Sequence, residues 1–223
     1  WVVYRVCEQM EAWRERHGLN LQVSLNVARH GLTSGNLEQV VATATSRHRI
    51  LPGQLVLELT ESMLMDRVDS MTARLQALRA LGVDLSIDDF GTGYSSMTYL
   101  HRLTVDTLKI DRSFVNGLGM NPEDEVIATT IVSLARALEL EVVAEGVETP
   151  DQFRMVREIG CDAAQGYLIS APVAPVQIDV ALDEWRLRAR AVDRRRGCIN
   201  QVLHTLVAAA FENVDEALEV GLH

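Results

Sequence analysis

Apolar and polar positions alternate along several short stretches of this chain, and longer amphipathic segments separate them. In 21–26, Leu21, Val23 and Leu25 share one face of an extended strand, while Gln22, Ser24 and Asn26 share the other. In 55–60, Leu55, Leu57 and Leu59 oppose Val56, Glu58 and Thr60. In 83–88, Val83, Leu85 and Ile87 oppose Asp84, Ser86 and Asp88. In 107–111, Leu108 and Ile110 oppose Thr107, Lys109 and Asp111. Strands are expected at 21–27, 55–60, 83–89, 107–111, 141–147 and 163–169.

Between these runs the period becomes helical. Residues 1–17 read as a helix, and Asn36 to Arg47 carries Leu37, Val40, Val41 and Ala44 on one face. Asp66 to Leu81 carries Val68, Met71, Leu75 and Leu78, and Gly82 stops it. Asn121-Pro122 opens a helix with an N-cap and a first-turn proline. Thr149-Pro150-Asp151-Gln152 opens another with a capping box, and Gly160 ends it.

Repeated strand–helix units imply parallel strands. In a doubly wound sheet both faces carry helices and the strands read as unbroken apolar runs. Here one face is apolar and the other polar. A closed barrel with its polar face inward fits, and such barrels carry their active sites at the C-terminal strand ends. Asn26, Glu58, Asp88, Lys109 and Glu145 all fall near such ends on that face. An eight-stranded barrel needs two strands more than the six found, and these are expected before Trp1. Residues 180–223 offer no strand pattern: a helix with Leu182, Trp185 and Leu187, an arginine-rich stretch from Arg186 to Arg196, and a last helix from Val202 to Leu218. The expected division is an N-terminally incomplete barrel over 1–178 and a helical extension over 179–223.

With 48% apolar and 23% charged residues, the 223-residue chain can bury a core and is not disordered. A net charge of −10 argues against a DNA or RNA polymer as partner, but not against a small anion held by local cations. No apolar run is long enough to span a bilayer, and no signal peptide pattern is present. Cys7, Cys161 and Cys198 are far apart and form no C-x-x-C pair, which points to a reducing cytoplasm. His17, His30, His48, His101, His204 and His223 show no ligand spacing, and the arginines of 186–196 read as a solvated helix face.

The remaining puzzle is SIDDFGTGYSS at 86–96, where a strand ends in two adjacent like charges. Singly, each acidic residue has a bland reading. Asp88-Asp89 suits a turn or cap, Glu58 a solvated strand face, Glu61 a helix cap, and Lys109 with Asp111 an ion pair. Asn26 suits a structural hydrogen bond, and Glu145 and Glu148 suit the approach to a capped helix. Jointly, at five strand ends of one parity, they suggest oxygen ligands for hard divalent cations such as magnesium or manganese. Two such ions can activate a water and hold the oxygens of a phosphodiester. On this reading Asp88 points inward and bridges them, and Asp89, on the following turn, reaches the second.

The motifs carrying these residues are Asn26 in SLNVA, Glu58-Leu-Thr-Glu61, Asp88-Asp89-Phe-Gly-Thr-Gly-Tyr-Ser-Ser, Lys109-Ile-Asp111, Glu145-Gly-Val-Glu148 and Gln165-Gly-Tyr167. Together, from Trp1 to about Val173, they closely resemble the EAL-domain family of bacterial cyclic di-GMP phosphodiesterases. The resemblance implies a TIM-type (β/α)8 barrel with one antiparallel strand. It also implies hydrolysis of cyclic di-GMP to linear pGpG with two magnesium or manganese ions. By position, Asn26, Glu58 and Asp88 resemble ligands of the first metal, and Asp89 a ligand of the second. Glu145 resembles a general base or second-metal ligand, and Lys109 the lysine that holds the attacking water. Gln165, Glu148 and Asp111 resemble substrate-binding or supporting groups. Glu61 resembles the anchor of the loop containing Gly91, Thr92 and Gly93, through which a homodimer couples to the site. The Glu-Ala-Leu segment and a phosphate-contacting arginine belong on a strand expected before Trp1, so the chain reads as part of a longer protein. A non-catalytic cyclic di-GMP receptor and a dimerisation module of the same fold are the alternatives.

Overall fold

The structure, a computed structural model, describes residues 1–33, 35–65, 68–93, 100 and 102–182. Six strands lie side by side in chain order, each parallel to its neighbours. They are β1 (Val23–Asn26), β2 (Leu55–Thr60), β3 (Asp84–Phe90), β4 (Thr107–Ile110), β5 (Glu141–Ala144) and β6 (Ala163–Ala164). Parallel neighbours require crossovers, which helices supply. Helix α1 (Val2–His17) precedes β1; α2 (Arg29–Thr33) and α3 (Leu37–Arg47) lead to β2; α4 (Glu61–Met65) and α5 (Val68–Arg79) lead to β3. Helices α6 (Arg112–Gly117) and α7 (Pro122–Ala137) join β4 to β5, and α8 (Pro150–Ile159) joins β5 to β6.

A strand order without reversal is that of a sheet curling toward a barrel, since a doubly wound sheet reverses at its switch point. Here the sheet curls into a half-barrel, and among the described residues β6 does not pair with β1. The apolar strand faces carry the helices. Leu55, Leu57, Leu59, Leu85, Leu108 and Ile110 have no exposed surface and share one core with Val6, Trp13, Leu75 and Val132 of the helices. Burying each such leucine contributes roughly 1.5–3 kcal/mol. The inner face of β2 is buried as well, by Val56 and Glu58.

Helix ends follow local chemistry. Asn121 accepts a hydrogen bond from the Glu123 N–H, and Thr149 and Gln152 close a full capping box. Gly160, at φ 94°, ends α8 in the left-handed conformation. The strands are shorter than their apolar runs. β1 begins at Val23, β5 stops at Ala144, and β6 has only 2 residues because Gly166 and a turn follow it. Helices α2, α4 and α6 span 5, 5 and 6 residues, too short to display a helical period in sequence. The backbone is helical again over 175–182, where Ile178 and Leu182 are buried and Asp179 meets His17 at 2.7 Å and Arg16 at 2.5 Å. The rest of the expected extension, 183–223, lies outside the described residues, as does Asp66 at the expected start of α5. Among the described residues no helix is long and apolar enough to cross a membrane.

Candidate active site

Strand register builds the site. Asn26 lies opposite Glu58, Glu58 opposite Ser86, Thr60 opposite Asp88, and Ser86 opposite Thr107. Side chains two residues apart share a face. Ser24, Asn26, Glu58, Ser86, Asp88 and Lys109 therefore stand on the inner face of the half-barrel. Glu145, immediately after β5, continues that parity from Val143, the register partner of Lys109.

Lys109 is the hub. Its ammonium Nζ lies 2.9 Å from Glu58 Oε2, 3.2 Å from Asp88 Oδ1 and 2.5 Å from Glu145 Oε1. Lysine and Glu58 are both buried, at 4% and 5% exposure, which leaves water unable to screen them. Burial alone favours the neutral amine, but the charges of Glu58, Glu145 and Asp88 outweigh it and hold Lys109 above the ordinary lysine range. The acids respond in the opposite sense. Burial raises Glu58 against the pull of Lys109, with the Asp88 charge adding to the rise. Burial likewise pushes Glu145 up to about 7, again opposed by Lys109 and assisted by Asp88.

Asp88 and Asp89 are adjacent, and regular alternation would send them to opposite faces. The chain avoids this with an irregularity. The β3–β4 register shifts between Ile87 and Phe90, and Asp89 adopts φ 53°, a left-handed conformation that aspartate tolerates better than most residues. As a result, ligand oxygens of Asp88, Asp89 and Glu145 all lie within 4.8 Å of one another. Asp89 is thus the penultimate residue of β3 rather than part of a following turn, a correction to the strand pattern. Burial, Asp88 and Asp111 together raise its carboxyl.

This acidic group fits a hard cation. Asp88 Oδ1 is buried without a hydrogen bond despite its nearness to Lys109, so its lone pairs have no good protein donor. Three carboxylates offer the oxygen donors that magnesium and manganese prefer. Glu58 and Asn26 stand farther round the same wall. They line, with Thr60, Asp88 and Asp89, a cavity of about 590 Å³ to which Val2, Leu37 and Val40 also contribute. Asn26 is exposed to that space.

The supporting residues take varied positions. Glu61, buried at the start of α4, accepts the Gly91 N–H at 3.0 Å. A side chain at Gly93 would come within 2.6 Å of the same carboxylate, so Glu61 would have to shift to admit one. The Thr92 hydroxyl donates to the Asp89 carbonyl at 2.8 Å. The rest of the expected dimer loop, 94–96, lies outside the described residues. Asp111 caps α6 and contacts Asp89. Gln165 donates its backbone N–H to Ala144 and accepts from Val147, which sets it beside the segment carrying Glu145. Glu148 is exposed, and its N–H is held by the Gln152 side chain of the capping box. Two inner-face serines were missed by motif reasoning: Ser24 hydrogen-bonds Glu58, and Ser86, 1% exposed, sits between β2 and β4. Strand parity sets both on the polar inward face, but no motif gives either a role.

A protein-family model described as the EAL domain matches residues 1–172. The chain belongs to the EAL domain family. Over 178 residues it is 40% identical to the Pseudomonas aeruginosa protein MucR, named a bifunctional diguanylate cyclase/cyclic di-GMP phosphodiesterase, covering 80% of this chain and 26% of MucR. Over 189 residues it is 41% identical to the cyclic di-GMP phosphodiesterase NbdA of the same organism, covering 85% of this chain and 24% of NbdA. The chain thus spans about a quarter of the length of these curated relatives. Among solved structures, the MucR phosphodiesterase in complex with c-di-GMP superposes with a TM-score of 0.76 at 40% identity, covering 80% of this chain and 72% of that one. The EAL domain of Mycobacterium smegmatis DcpA gives 0.78 at 38% identity, covering 82% and 83%. The curled parallel sheet of this chain is therefore the TIM-barrel-type fold of the EAL domain.

Proposed function

We propose that this EAL domain hydrolyses cyclic di-GMP to linear pGpG with the help of magnesium or manganese ions. The observation that carries the reading is the convergence of Asp88, Asp89 and Glu145 on one point, with a buried Asp88 oxygen lacking a hydrogen bond. Relatives named as cyclic di-GMP phosphodiesterases, and one solved with c-di-GMP, supply the substrate. Asn26, Glu58, Asp88, Asp89 and Glu145 would hold up to two ions. Bound divalent ions polarise a phosphodiester and make a water nucleophilic near neutral pH.

The chain's own groups do the rest. Lys109, kept charged by its carboxylates, fixes the orientation of Glu58, Asp88 and Glu145, offsets phosphate charge and holds the attacking water. Glu145 Oε1, 2.5 Å from the Lys109 ammonium, is placed either to ligate the second ion or to take a proton from that water. Asp111 braces Asp89, and Gln165 and Glu148 support the segment that carries Glu145. Glu61 ties the loop from Gly91 to the site, and a homodimer through the 88–96 region would use that tie to regulate activity. With cyclic di-GMP as its substrate, the domain would work in the cytoplasm.

The test is turnover of cyclic di-GMP by the purified protein with magnesium or manganese, with products separated by chromatography. Linear pGpG is expected, a chelator abolishes it, and Glu145→Gln lowers kcat/KM by roughly 10²-fold or more. Undiminished turnover in the variant overturns the assignment. Binding without pGpG would make the domain a receptor instead.

A further inference from the structure

We infer that Arg112 binds the phosphate of the cyclic dinucleotide that is not being cleaved. The inference rests on the phosphodiesterase reading and goes beyond it by assigning a residue that none of the six motifs singles out. It begins with charge. The mouth of the half-barrel presents Glu58, Asp88, Asp89, Asp111 and Glu145. A cyclic dinucleotide brings two phosphodiesters, each singly negative. The scissile one has the metal-binding group and Lys109. The other must lie over the same acidic rim and needs a cation of its own.

Among the described residues, few cations stand at this mouth. Lys109 is buried and already shared among three carboxylates. Arg29, after β1, is directed to the Ser62 carbonyl at 3.4 Å. Arg112 differs. It is the first residue of α6, directly after the Asp111 cap, and it is exposed. Among the described residues its guanidinium makes no ion pair or hydrogen bond.

Its stem is seated with care. A Cβ built on Gly146 would come within 2.5 Å of Arg112 Cβ and 3.3 Å of Arg112 Cα. Gly146 also adopts φ 68°. Position 146 must therefore be glycine both for its backbone and for the arginine stem that crosses it. That stem is pinned one residue from Glu145, while its charged end remains unpaired. An arginine of this kind is suited to a phosphate, which it can grip with two parallel hydrogen bonds.

The experiment measures steady-state turnover of cyclic di-GMP, together with calorimetric binding in calcium or without metal, for the wild type, Arg112→Ala and Arg112→Lys. Melting temperatures establish that all three fold alike. Arg112→Ala should raise KM and Kd about tenfold, the loss of one charge-assisted contact, and change kcat by no more than about threefold. It should also flatten the dependence of KM on salt. Arg112→Lys should recover part of the lost affinity, because the charge returns without the bidentate fork. Unchanged KM and Kd in Arg112→Ala, a loss confined to kcat, or a lysine variant no better than alanine would each overturn the inference. If the wild type binds without producing pGpG, the phosphodiesterase reading fails while Kd still decides on Arg112. If it binds no dinucleotide at all, both fall.

Discussion

Aspartates occupy both ends of β3, and their surroundings set them different tasks. At the C-terminal end, Asp88 and Asp89 face other carboxylates and Lys109 across the inner mouth. At the N-terminal end, Asp84 lies beside Asp106 and Arg79, and the Gln22 amide donates to its Oδ2 at 3.4 Å. Burial first, and then the Asp106 charge, raise the Asp84 carboxyl above its usual range, with Arg79 opposing. An acid whose pKa is higher folded than unfolded favours the fold below the unfolded value. That contribution is lost as pH rises through the folded value. Ionised Asp84 is thus a mild liability at neutral pH. Asp84→Asn keeps an acceptor for Gln22 and removes the charge, so its melting temperature at pH 7 should exceed that of the wild type by roughly 1–3 °C. The difference should close as pH falls into the carboxylate range. Calorimetric scans from pH 4 to 8 check this, and a variant less stable at pH 7 would contradict it.

At the scale of elements, the end of β3 shows both how far the sequence could be followed and where it could not. Alternation in 83–88 correctly placed Asp88 inward, beside Lys109. The same alternation would have turned Asp89 outward, and no pattern in SIDDFGTG announces the register shift or the positive φ that bring it to the mouth. Backbone irregularities arise from pairing with a neighbouring strand, which one segment does not encode alone. The loops after β5 and β6 were overextended into strands for a similar reason, since Gly146 and Gly166 break pairing where hydrophobicity continues. The six strands, their parallel order and the capped helices α7 and α8 were legible, because each has a local cause in periodicity or capping chemistry. If the left-handed Asp89 is what gathers the acids, side chains differing in tolerance for that conformation will separate structure from charge. Asp89→Asn and Asp89→Val both delete the charge, but valine is branched at Cβ and strained at positive φ. The valine variant should be less stable than the asparagine variant by about 1–3 kcal/mol, read from urea unfolding. Both should lose phosphodiesterase activity. Equal stability would mean that the bulge relaxes at no cost.

For the whole molecule, the half-barrel carries like charges gathered at one rim, and Lys109 neutralises them only in part. Such an arrangement would tie global stability to a cation bound there. A ligand that binds the folded chain and not the unfolded one stabilises by RT ln(1 + [L]/Kd), about 2.7 kcal/mol at a hundredfold excess over Kd. For a domain of this size that corresponds to a rise of roughly 5–10 °C in melting temperature. Magnesium or manganese should therefore raise the transition relative to the same protein in chelator. Sodium chloride at matched ionic strength should not, because screening alone acts weakly on buried groups. Asp88→Asn is the decisive variant. It removes the carboxylate whose buried oxygen has no hydrogen bond and which faces both Asp89 and Glu145. The metal-dependent rise should shrink to a degree or two in that variant, while its melting temperature in chelator stays close to that of the wild type or exceeds it. A full metal response retained by Asp88→Asn would place the ion elsewhere and detach the acidic rim from the chemistry assigned to it.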